Sequence, residues 1–248
     1  MCLLALFFRV AADAPVVVGA NREEYYARGG QPPHILDGPV GILAGVDPIA
    51  GGTWLGVNEH GVLAAVTNRL RETVPPQPRS RGLLTRALLD CRSASEAVTV
   101  ATRELGSNRY AGCNLLVADR SGAYAILAGD WLRVRPLPPG LHVLTANDVN
   151  DASDRRLGHA LWWLEQRPCH SAEQCLAALK ELCAQSGGID PPMCLNGAER
   201  GTVSSTLVAL ASSLPQSRYL HAQGPPDKTP YEDYSHLLKN LFANKASG

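Results

Sequence analysis

Two short apolar segments open the chain and limit what it can fold into. Residues 2–8 are apolar at every position, and residues 15–20 form a second, β-branched run after a turn. A short apolar run bounded by turn residues is typical of a buried strand. The first segment is not expected to be a secretion signal, because no basic residue precedes it and Arg9 interrupts it. We therefore predict a buried β-hairpin at the start of the fold.

Cys2 stands at the head of this hairpin, directly after the initiator methionine. Removal of Met1 would leave a thiol and a free α-amine on one residue. An α-amine titrates at about 7.7–8.0, so it could accept the thiol proton and serve as the general base. The alternative is that Cys2 is only a small buried hydrophobe at the start of a strand.

A dense polar cluster follows the second apolar segment. Asn21, Arg22 and Glu23 come directly after Ala20. One interpretation is a solvated turn, where such residues are common. The other places these three side chains at the edge of a site beside Cys2, where an arginine lowers a thiol pKa or holds an anion and a carboxylate orients an amine.

Four later residues are further candidates for the same site. Trp54 lies in the glycine-rich segment 51–58 and is either core or part of a binding surface. Asn68 and Asn147 each stand at the end of a predicted strand, where an amide can face a pocket or simply form a turn. Arg200 closes a polar loop over residues 186–200.

The order of the remaining segments indicates the fold class. Strand patterns dominate up to residue 68, two helices follow near residues 83–91 and 95–105, and strands return over 112–145. Two more helices, ending near 165 and spanning 172–184, precede a last pair of strands at 201–210 and 218–222 and a short helix near 234–242. Segment 29–39 is rich in glycine and proline, and this composition predicts a loop. Runs of strands and runs of helices without regular alternation favour an α+β layered sandwich with antiparallel sheets.

Composition excludes several classes of protein. The chain has 248 residues, and its 23 basic and 23 acidic side chains balance, so neither nucleic acid nor an anionic membrane is an expected partner. No apolar run approaches the roughly 18 residues of a transmembrane helix. The seven cysteines contain no C-x-x-C pair, so we expect no disulfide framework, no metal site and a cytoplasmic location with reduced thiols.

Several of these motifs together resemble one family. They are Met1-Cys2, the segment Ala20 to Arg28 with its Asn-Arg-Glu-Glu run, Gly51-Gly52-Thr53-Trp54-Leu55-Gly56, Ala64 to Asn68, Ser80-Arg81-Gly82 and Gly112 to Asp119. In combination they resemble the NRDE family of transport and Golgi organisation proteins. The resemblance covers most of the chain and implies a single domain over residues 1–248. It also implies an N-terminal-nucleophile (Ntn) hydrolase-like fold, a four-layer αββα sandwich related to the choloylglycine hydrolases.

The resemblance also implies roles for individual residues. Cys2 would be the nucleophile and Glu23 the carboxylate that orients its amine. Glu23 replaces the aspartate in the family name, and the extra methylene moves the carboxylate. Asn68 and Asn147 would be oxyanion donors, and Arg22 or Arg200 would hold charge near the thiolate. The implied activity is hydrolysis of, or acyl transfer from, an amide or ester bond of a small-molecule substrate, with no cofactor required.

A carrier function is the alternative. Some members of the family are tied to haem trafficking, so the same pocket could hold haem or a similar hydrophobic anion without chemistry. The seven histidines or a cysteine thiolate could supply an axial ligand. No Cys-x-x-Cys-His motif is present, so covalent haem attachment is not expected.

Overall fold

The computed structural model describes residues 2–188 and 190–245 of the chain. The chain begins with two strands of the first sheet, β1 (Leu3–Phe8) and β2 (Val16–Tyr25). A second group of strands follows: β3 (Gln31–Leu36), β4 (Ile42–Val46), β5 (Leu55–Asn58), β6 (Leu63–Asn68), β7 (Cys113–Ala118), β8 (Ala123–Ala128) and β9 (Leu132–Pro136). The chain then returns to the first sheet through β10 (Gly140–Leu144), β11 (Arg200–Leu210), β12 (Arg218–Ala222) and β13 (Glu232–Asp233).

Both sheets are antiparallel between every pair of neighbouring strands described. The first has the strand order β10-β1-β2-β11-β12-β13, and the second runs β3 to β9 in sequence order. β1 and β2 pair as the predicted hairpin, with Leu3 opposite Asn21 and Phe8 opposite Val16. The long central strand β2 is therefore held between β1 and β11.

The described part of the chain contains five α-helices. They are α1 (Arg81–Leu88), α2 (Ala94–Gly106), α3 (Arg155–Glu165), α4 (Ala172–Cys183) and α5 (Ser235–Lys245). Helices α3 and α4 pack on the outer face of the first sheet, whereas α1 and α2 pack on the outer face of the second. The layer order is α, β, β, α, which confirms the predicted four-layer α+β sandwich with antiparallel sheets.

The alternation of side chains along β1 explains how one strand contributes to two hydrophobic cores. Leu4 and Leu6 face the core between the sheets, whereas Leu3 and Ala5 face α3 and α4. Successive side chains of a strand point to opposite faces, so a strand that is covered on both sides must be apolar throughout. The uninterrupted apolar run at the N-terminus thus has a direct structural cause.

Side-chain caps set the starts of four helices. Ser80, Ser93 and Ser171 each accept a hydrogen bond from the backbone N–H three residues later. The carboxylate of Asp154 accepts from the N–H groups of both Arg156 and Leu157. These caps satisfy N–H groups that have no partner within the helix, so they fix where each helix begins.

Two sequence predictions about β-structure were wrong. Segment 29–39 was expected to be a loop, but residues Gln31–Leu36 form β3, which tolerates two prolines because it is an edge strand. The apolar run after residue 15 was expected to end at Ala20, but β2 continues through the polar cluster to Tyr25. Pairing with β11 extends along this polar half, from Asn21 to Tyr25 with one bulge, and supplies the hydrogen bonds that sustain the strand.

Candidate active site around Cys2

Cys2 lies immediately before the first residue of β1. Its side chain is half-buried, whereas the other six cysteines are buried, and all seven are free thiols. The backbone N–H of Glu23 donates to the Cys2 Sγ over 3.4 Å. This contact fixes the thiol against β2, the strand that carries the polar cluster.

The surroundings of Cys2 disfavour the thiolate. Burial raises the pKa of the Cys2 thiol above its usual value, and the negative charge of Glu23 raises it further. The hydrogen bond from the Glu23 backbone and the charge of Arg22 act in the opposite direction, with smaller effect. The thiol is therefore protonated at neutral pH, and a reaction through its sulfur needs a base.

Arg22 shares the inner face of the first sheet with Cys2. Its side chain is only 6% exposed, and its Nη1 donates to the Gly29 carbonyl over 2.6 Å. The guanidinium lies 4.3 Å from the centroid of the Trp54 ring, in the geometry of a cation–π contact. Burial lowers the pKa of Arg22, although an arginine remains charged at neutral pH. Trp54 therefore helps to hold a buried positive charge beside the thiol.

Glu23 points to the opposite face of β2, toward the helices. Its carboxylate is paired with the guanidinium of Arg156 on α3, through two hydrogen bonds. Arg156 also donates to the carbonyls of Met193 and Pro192, at 2.7 and 3.0 Å. The expected role of Glu23 toward the Cys2 amine stays a prediction, because Met1 and its surroundings lie outside the described residues.

A cavity of about 290 Å³ opens over Cys2, Arg22 and Trp54. Its far wall is the start of α1, which is packed against the loop that follows Asp47. The N–H of Thr53 donates to the Gly82 carbonyl over 3.0 Å, and a Cβ added at Gly52 would come within 2.2 Å of the Gly82 backbone. The Gly-Gly-Thr-Trp and Ser-Arg-Gly motifs thus pack against each other through their backbones, and this contact closes the cavity.

An ion pair stands at the rim of this cavity. Arg28 donates to the Asp47 carboxylate at 2.6 Å and lies 3.6 Å from the Glu24 carboxylate. The hydrogen bond to Asp47 raises the pKa of Arg28, and the positive charge of Arg28 is paired with Asp47 and Glu24. The pair joins the end of β2 to the loop after β4, and it stabilises the entrance.

A second, larger cavity adjoins the first. Its volume is about 710 Å³, and Glu23, Glu24 and Asn68 line both cavities. The segment from Leu195 to Gly201 forms its other side and includes the exposed Arg200, whose guanidinium lies 6.0 Å from the ring centroid of Tyr25. The two cavities together offer a small compartment at the thiol and a wider one beside it.

The three predicted asparagines lie in different places. Asn68, at the end of β6, is exposed and lines both cavities. Asn147 lines neither, and its amide donates to the Asp154 carboxylate over 3.2 Å. Asn21 is buried on the helical face, where its amide donates to the carbonyls of Cys183 and Met193. The structure therefore brings Asn68 to the thiol cavity and uses Asn21 to tie β2 to the helical layer.

Three residues of the site were not singled out from the sequence. Arg81 lines the thiol cavity from the start of α1, and Arg156 holds Glu23. Asn114 donates to the carbonyls of Thr145 and Asn147, which fixes the end of β10 against β7. Arg81 and Asn114 lie within motifs of the family resemblance, which was the available signal. Arg156 carries no local motif.

The described residues contain neither a cluster of metal ligands nor a helix that could span a membrane. In residues 2–188 and 190–245, His, Cys, Asp and Glu side chains form no group of three or more that could hold a metal ion. Over the same ranges, every helix is too short or too polar to cross a bilayer.

Comparison with solved structures identifies the fold. An N-acylethanolamine-hydrolyzing acid amidase ortholog from Caenorhabditis elegans superimposes with a TM-score of 0.56 at 14% identity, over 83% of this chain and 92% of that one. Penicillin V acylase from Agrobacterium tumefaciens gives 0.55 at 13% identity, over 96% and 88%. The C2A mutant of conjugated bile acid hydrolase from Clostridium perfringens gives 0.53 at 11% identity, over 98% and 94%. At such identities the likeness is one of fold.

Comparison of sequences identifies closer relatives. The Transport and Golgi organization 2 homolog of Mus musculus is 36% identical over 111 residues, which is 43% of this chain and 39% of the mouse protein. The Homo sapiens homolog is 36% identical over 113 residues, or 44% of this chain and 40% of the human protein. The matched stretch thus spans about two fifths of the length of either relative.

The family itself is defined by a longer match. Residues 1–222 match the family described as Transport and Golgi organisation 2. The matched range includes the Cys2 strand, both glycine motifs and all of β11. The resemblance that the sequence motifs suggest is thereby confirmed. The chain belongs to the Transport and Golgi organisation 2 family and has the fold of the N-terminal-nucleophile hydrolases.

Proposed function

We propose that this protein is an Ntn-type cysteine hydrolase or acyltransferase, which acts on an amide or ester bond through the thiol of Cys2. One observation carries the proposal. Among seven cysteines, the half-buried one opens the first strand of an Ntn-hydrolase fold and lines a cavity there. A thiol in a structural role has no need of a cavity, whereas a nucleophile must be reached by its substrate.

The chemistry requires that Met1 be removed. The free α-amine of Cys2 then takes the thiol proton, and the thiolate attacks the substrate carbonyl. The bond between carbonyl carbon and sulfur forms as the carbonyl oxygen becomes an oxyanion. When the oxyanion collapses, the leaving amine or alcohol receives the proton from the Cys2 ammonium. Water, or an acceptor amine or alcohol in acyl transfer, then attacks the thioester and frees the thiol.

Two neighbours of Cys2 favour this sequence of steps. Arg22 holds a buried positive charge beside the forming thiolate, and Asn68 offers an amide donor at the cavity wall. A donor that is aimed at a developing oxyanion is worth about 10²–10³ in rate. The raised pKa of the Cys2 thiol explains why the α-amine is needed, because the sulfur does not ionise unaided at neutral pH.

The relatives in fold support the same choice of nucleophile. The bile acid hydrolase whose structure resembles this one was solved as a C2A mutant, so its second residue is a cysteine as well. The names of all three structures describe hydrolysis or acyl cleavage. They leave the substrate of this chain open.

The experiment is an acylation assay read by intact mass. The purified protein is mixed with p-nitrophenyl acetate, a small activated ester. We expect a species that lacks methionine and carries one acetyl group, with that adduct lost in Cys2→Ala and kept in Cys91→Ala, which removes a buried cysteine. A protein that retains Met1 and acquires no acetyl group at Cys2 would contradict the proposal.

Haem binding remains the alternative prediction, and the same preparation tests it. None of the histidines in the described residues lines either of the two cavities at Cys2. An axial ligand there would have to be the Cys2 thiolate or the phenolate of Tyr25, which lines the second cavity. A stoichiometric haem complex that persists in Cys2→Ala would show a ligand other than Cys2, and one that is lost would make Cys2 a ligand rather than a nucleophile.

A further inference from the structure

The Cys2 cavity is lined by charges of both signs, and its three carboxylates are Glu23, Glu24 and Asp47. Four arginines line it: Arg22, Arg28, Arg79 and Arg81. Arg28 is paired with Asp47, and Arg79 with Glu104 at 2.7 Å. The described residues place no carboxylate in salt-bridge contact with either Arg22 or Arg81.

Both of these unpaired arginines are held by backbone carbonyls instead. Arg22 donates to the Gly29 carbonyl at 2.6 Å, and Arg81 donates through Nη1 to the Gly112 carbonyl at 2.9 Å. A guanidinium has five N–H donors, so each keeps donors to spare. A buried or half-buried cation without a counter-ion is costly, and such a group is normally paired. The charges of Glu24 and Asp47 favour the charged form of Arg22 without a salt bridge to it. A direct anionic partner for Arg22 and Arg81 is therefore expected to come from outside the chain.

The backbone at Arg81 adds to this positive field. Arg81 is the first residue of α1, and the Ser80 side chain caps the N–H of Leu83. The N–H groups of Arg81 and Gly82 donate to no acceptor among the described residues. Free N–H groups at a helix start attract anions, and an arginine at the same place strengthens that attraction.

We propose that Arg81, together with Arg22, binds a compact anionic group of the substrate, a carboxylate or a phosphate, in the cavity that holds the Cys2 thiol. The proposal rests on the function proposed above and narrows its substrate class to acyl compounds that carry an anion close to the reacting carbonyl. Arg22 also faces the thiol, whereas Arg81 stands on the opposite wall. Arg81 is therefore the residue that would select for the anion.

Alkylation of Cys2 with two matched reagents tests the proposal. Iodoacetate and iodoacetamide both react by forming a sulfur–carbon bond as iodide leaves, and they differ in carrying a carboxylate or a neutral amide. Because both report the same thiolate, the ratio of their rate constants is independent of the Cys2 pKa. Dividing that ratio by its value in the same protein unfolded in urea removes the intrinsic difference between the reagents. Peptide mass mapping assigns the modification to Cys2.

We expect the normalised ratio to favour iodoacetate by about tenfold, which is the size of one charge-assisted hydrogen bond. Arg81→Gln should lower the ratio at least about fivefold, and Arg81→Lys should give an intermediate value, because lysine keeps the charge but loses the planar fork. Arg86→Gln is the matched control. Arg86 lies on the same helix and also donates to backbone carbonyls, but outside the cavity. Its ratio should match that of the unaltered protein.

A binding measurement separates this proposal from the proposed reaction. N-acetylglycine and inorganic phosphate should raise the melting temperature, N-acetylglycinamide should not, and Arg81→Gln should abolish the effect. The acid that stabilises more identifies the preferred anion. A ratio near one in the folded protein, or a stabilisation that survives Arg81→Gln, would overturn the proposal. If Cys2 resists both reagents while N-acetylglycine still binds through Arg81, the anion site stands and the reaction at Cys2 fails.

Discussion

The guanidinium of Arg156 holds the carboxylate of Glu23, although the two residues are 133 positions apart in the chain. The Glu23 side chain is only 4% exposed and that of Arg156 only 10%. Glu23 lies on β2, one position beyond the arginine that faces the thiol, whereas Arg156 lies on the first turn of α3. The helical layer therefore fixes the strand on which the candidate site is built.

Breaking this pair should destabilise the whole fold. Arg156→Met removes the guanidinium that binds the buried Glu23 carboxylate, and we expect the free energy of unfolding to fall by about 3 kcal/mol. Glu23→Leu should have a similar cost for the opposite reason. Combining the two should cost clearly less than their sum, since no charge is then left unpaired. Urea denaturation of the four proteins measures this coupling, and simple additivity would show that the pair is not coupled.

The Cys2 thiol should titrate above its usual range. In a preparation whose intact mass shows Met1 in place, the rate of iodoacetamide labelling should rise about tenfold per pH unit up to at least pH 8.5 without a plateau, because the thiolate is the reactive form. Glu23→Gln removes a negative charge that raises the pKa of Cys2. The pKa should fall, and labelling at pH 7.5 should become faster.

Glu24→Gln is the control for this titration. Glu24 also lines the cavity, but its charge is not among the causes of the Cys2 pKa shift. Its labelling profile should match that of the unaltered protein. Slower labelling in Glu23→Gln would contradict the expectation that the Glu23 charge raises the pKa of Cys2.

The contact between Gly52 and Gly82 leaves no room for a side chain. Gly52→Ala would place a Cβ within 2.2 Å of the Gly82 backbone, so the loop and the start of α1 must separate. We expect a loss of about 2 kcal/mol in stability, as for other overpacked sites. Gly158→Ala is the matched control, because its Cβ meets nothing within 4 Å in the middle of α3. That variant should gain about 0.5–1 kcal/mol from helix propensity, and thermal or urea unfolding distinguishes the two.

Asp154 should contribute more than an ordinary helix cap. Besides capping α3, its carboxylate accepts hydrogen bonds from Thr145 and Asn147 at the end of β10. Asp154→Ala should therefore exceed the usual cost of about 1 kcal/mol for a lost cap. Ser171→Ala removes the cap of α4, where the serine accepts a single capping bond, and should show that ordinary cost. Equal losses in the two variants would mean that Asp154 acts as a cap alone.

Acylation by p-nitrophenyl acetate should depend on Asn68 more than on Asn147. Asn68→Ala removes a donor from the wall of the thiol cavity, and we expect the acylation rate to fall by about 10²-fold. Asn147→Ala should slow acylation much less, because that amide is engaged by Asp154 and does not line the cavity. A larger effect at Asn147 would require the end of β10 to rearrange when substrate binds.

The parts of the site that could be predicted from the sequence depend on local sequence patterns. The position of Cys2 before an apolar run, and its proximity to Arg22, follow from a hairpin of two short segments. The opposite orientations of Arg22 and Glu23 follow from strand alternation, but only once β2 is known to continue to Tyr25. Ending the strand at Ala20 hid this distinction, so Asn21 was assigned to the cavity rather than to the helical face.

The remaining parts depend on contacts between distant segments. No sequence pattern pairs Arg156 with Glu23 or sets Asp154 against Asn147, because those contacts exist only after α3 packs on the first sheet. The strand β3 was missed for a related reason. Its prolines argue against a strand in general, and only the position of β3 at the edge of the second sheet makes them acceptable.

The central position of β2 has a consequence for how the site moves. Arg22 lies in the part of β2 that pairs with β11, so its amide hydrogen should exchange with deuterium only when that pairing opens. Residues 47–54 form a connecting loop that also lines the cavity, and this loop should exchange earlier. The thiol side of the cavity would therefore serve as a fixed template for the substrate.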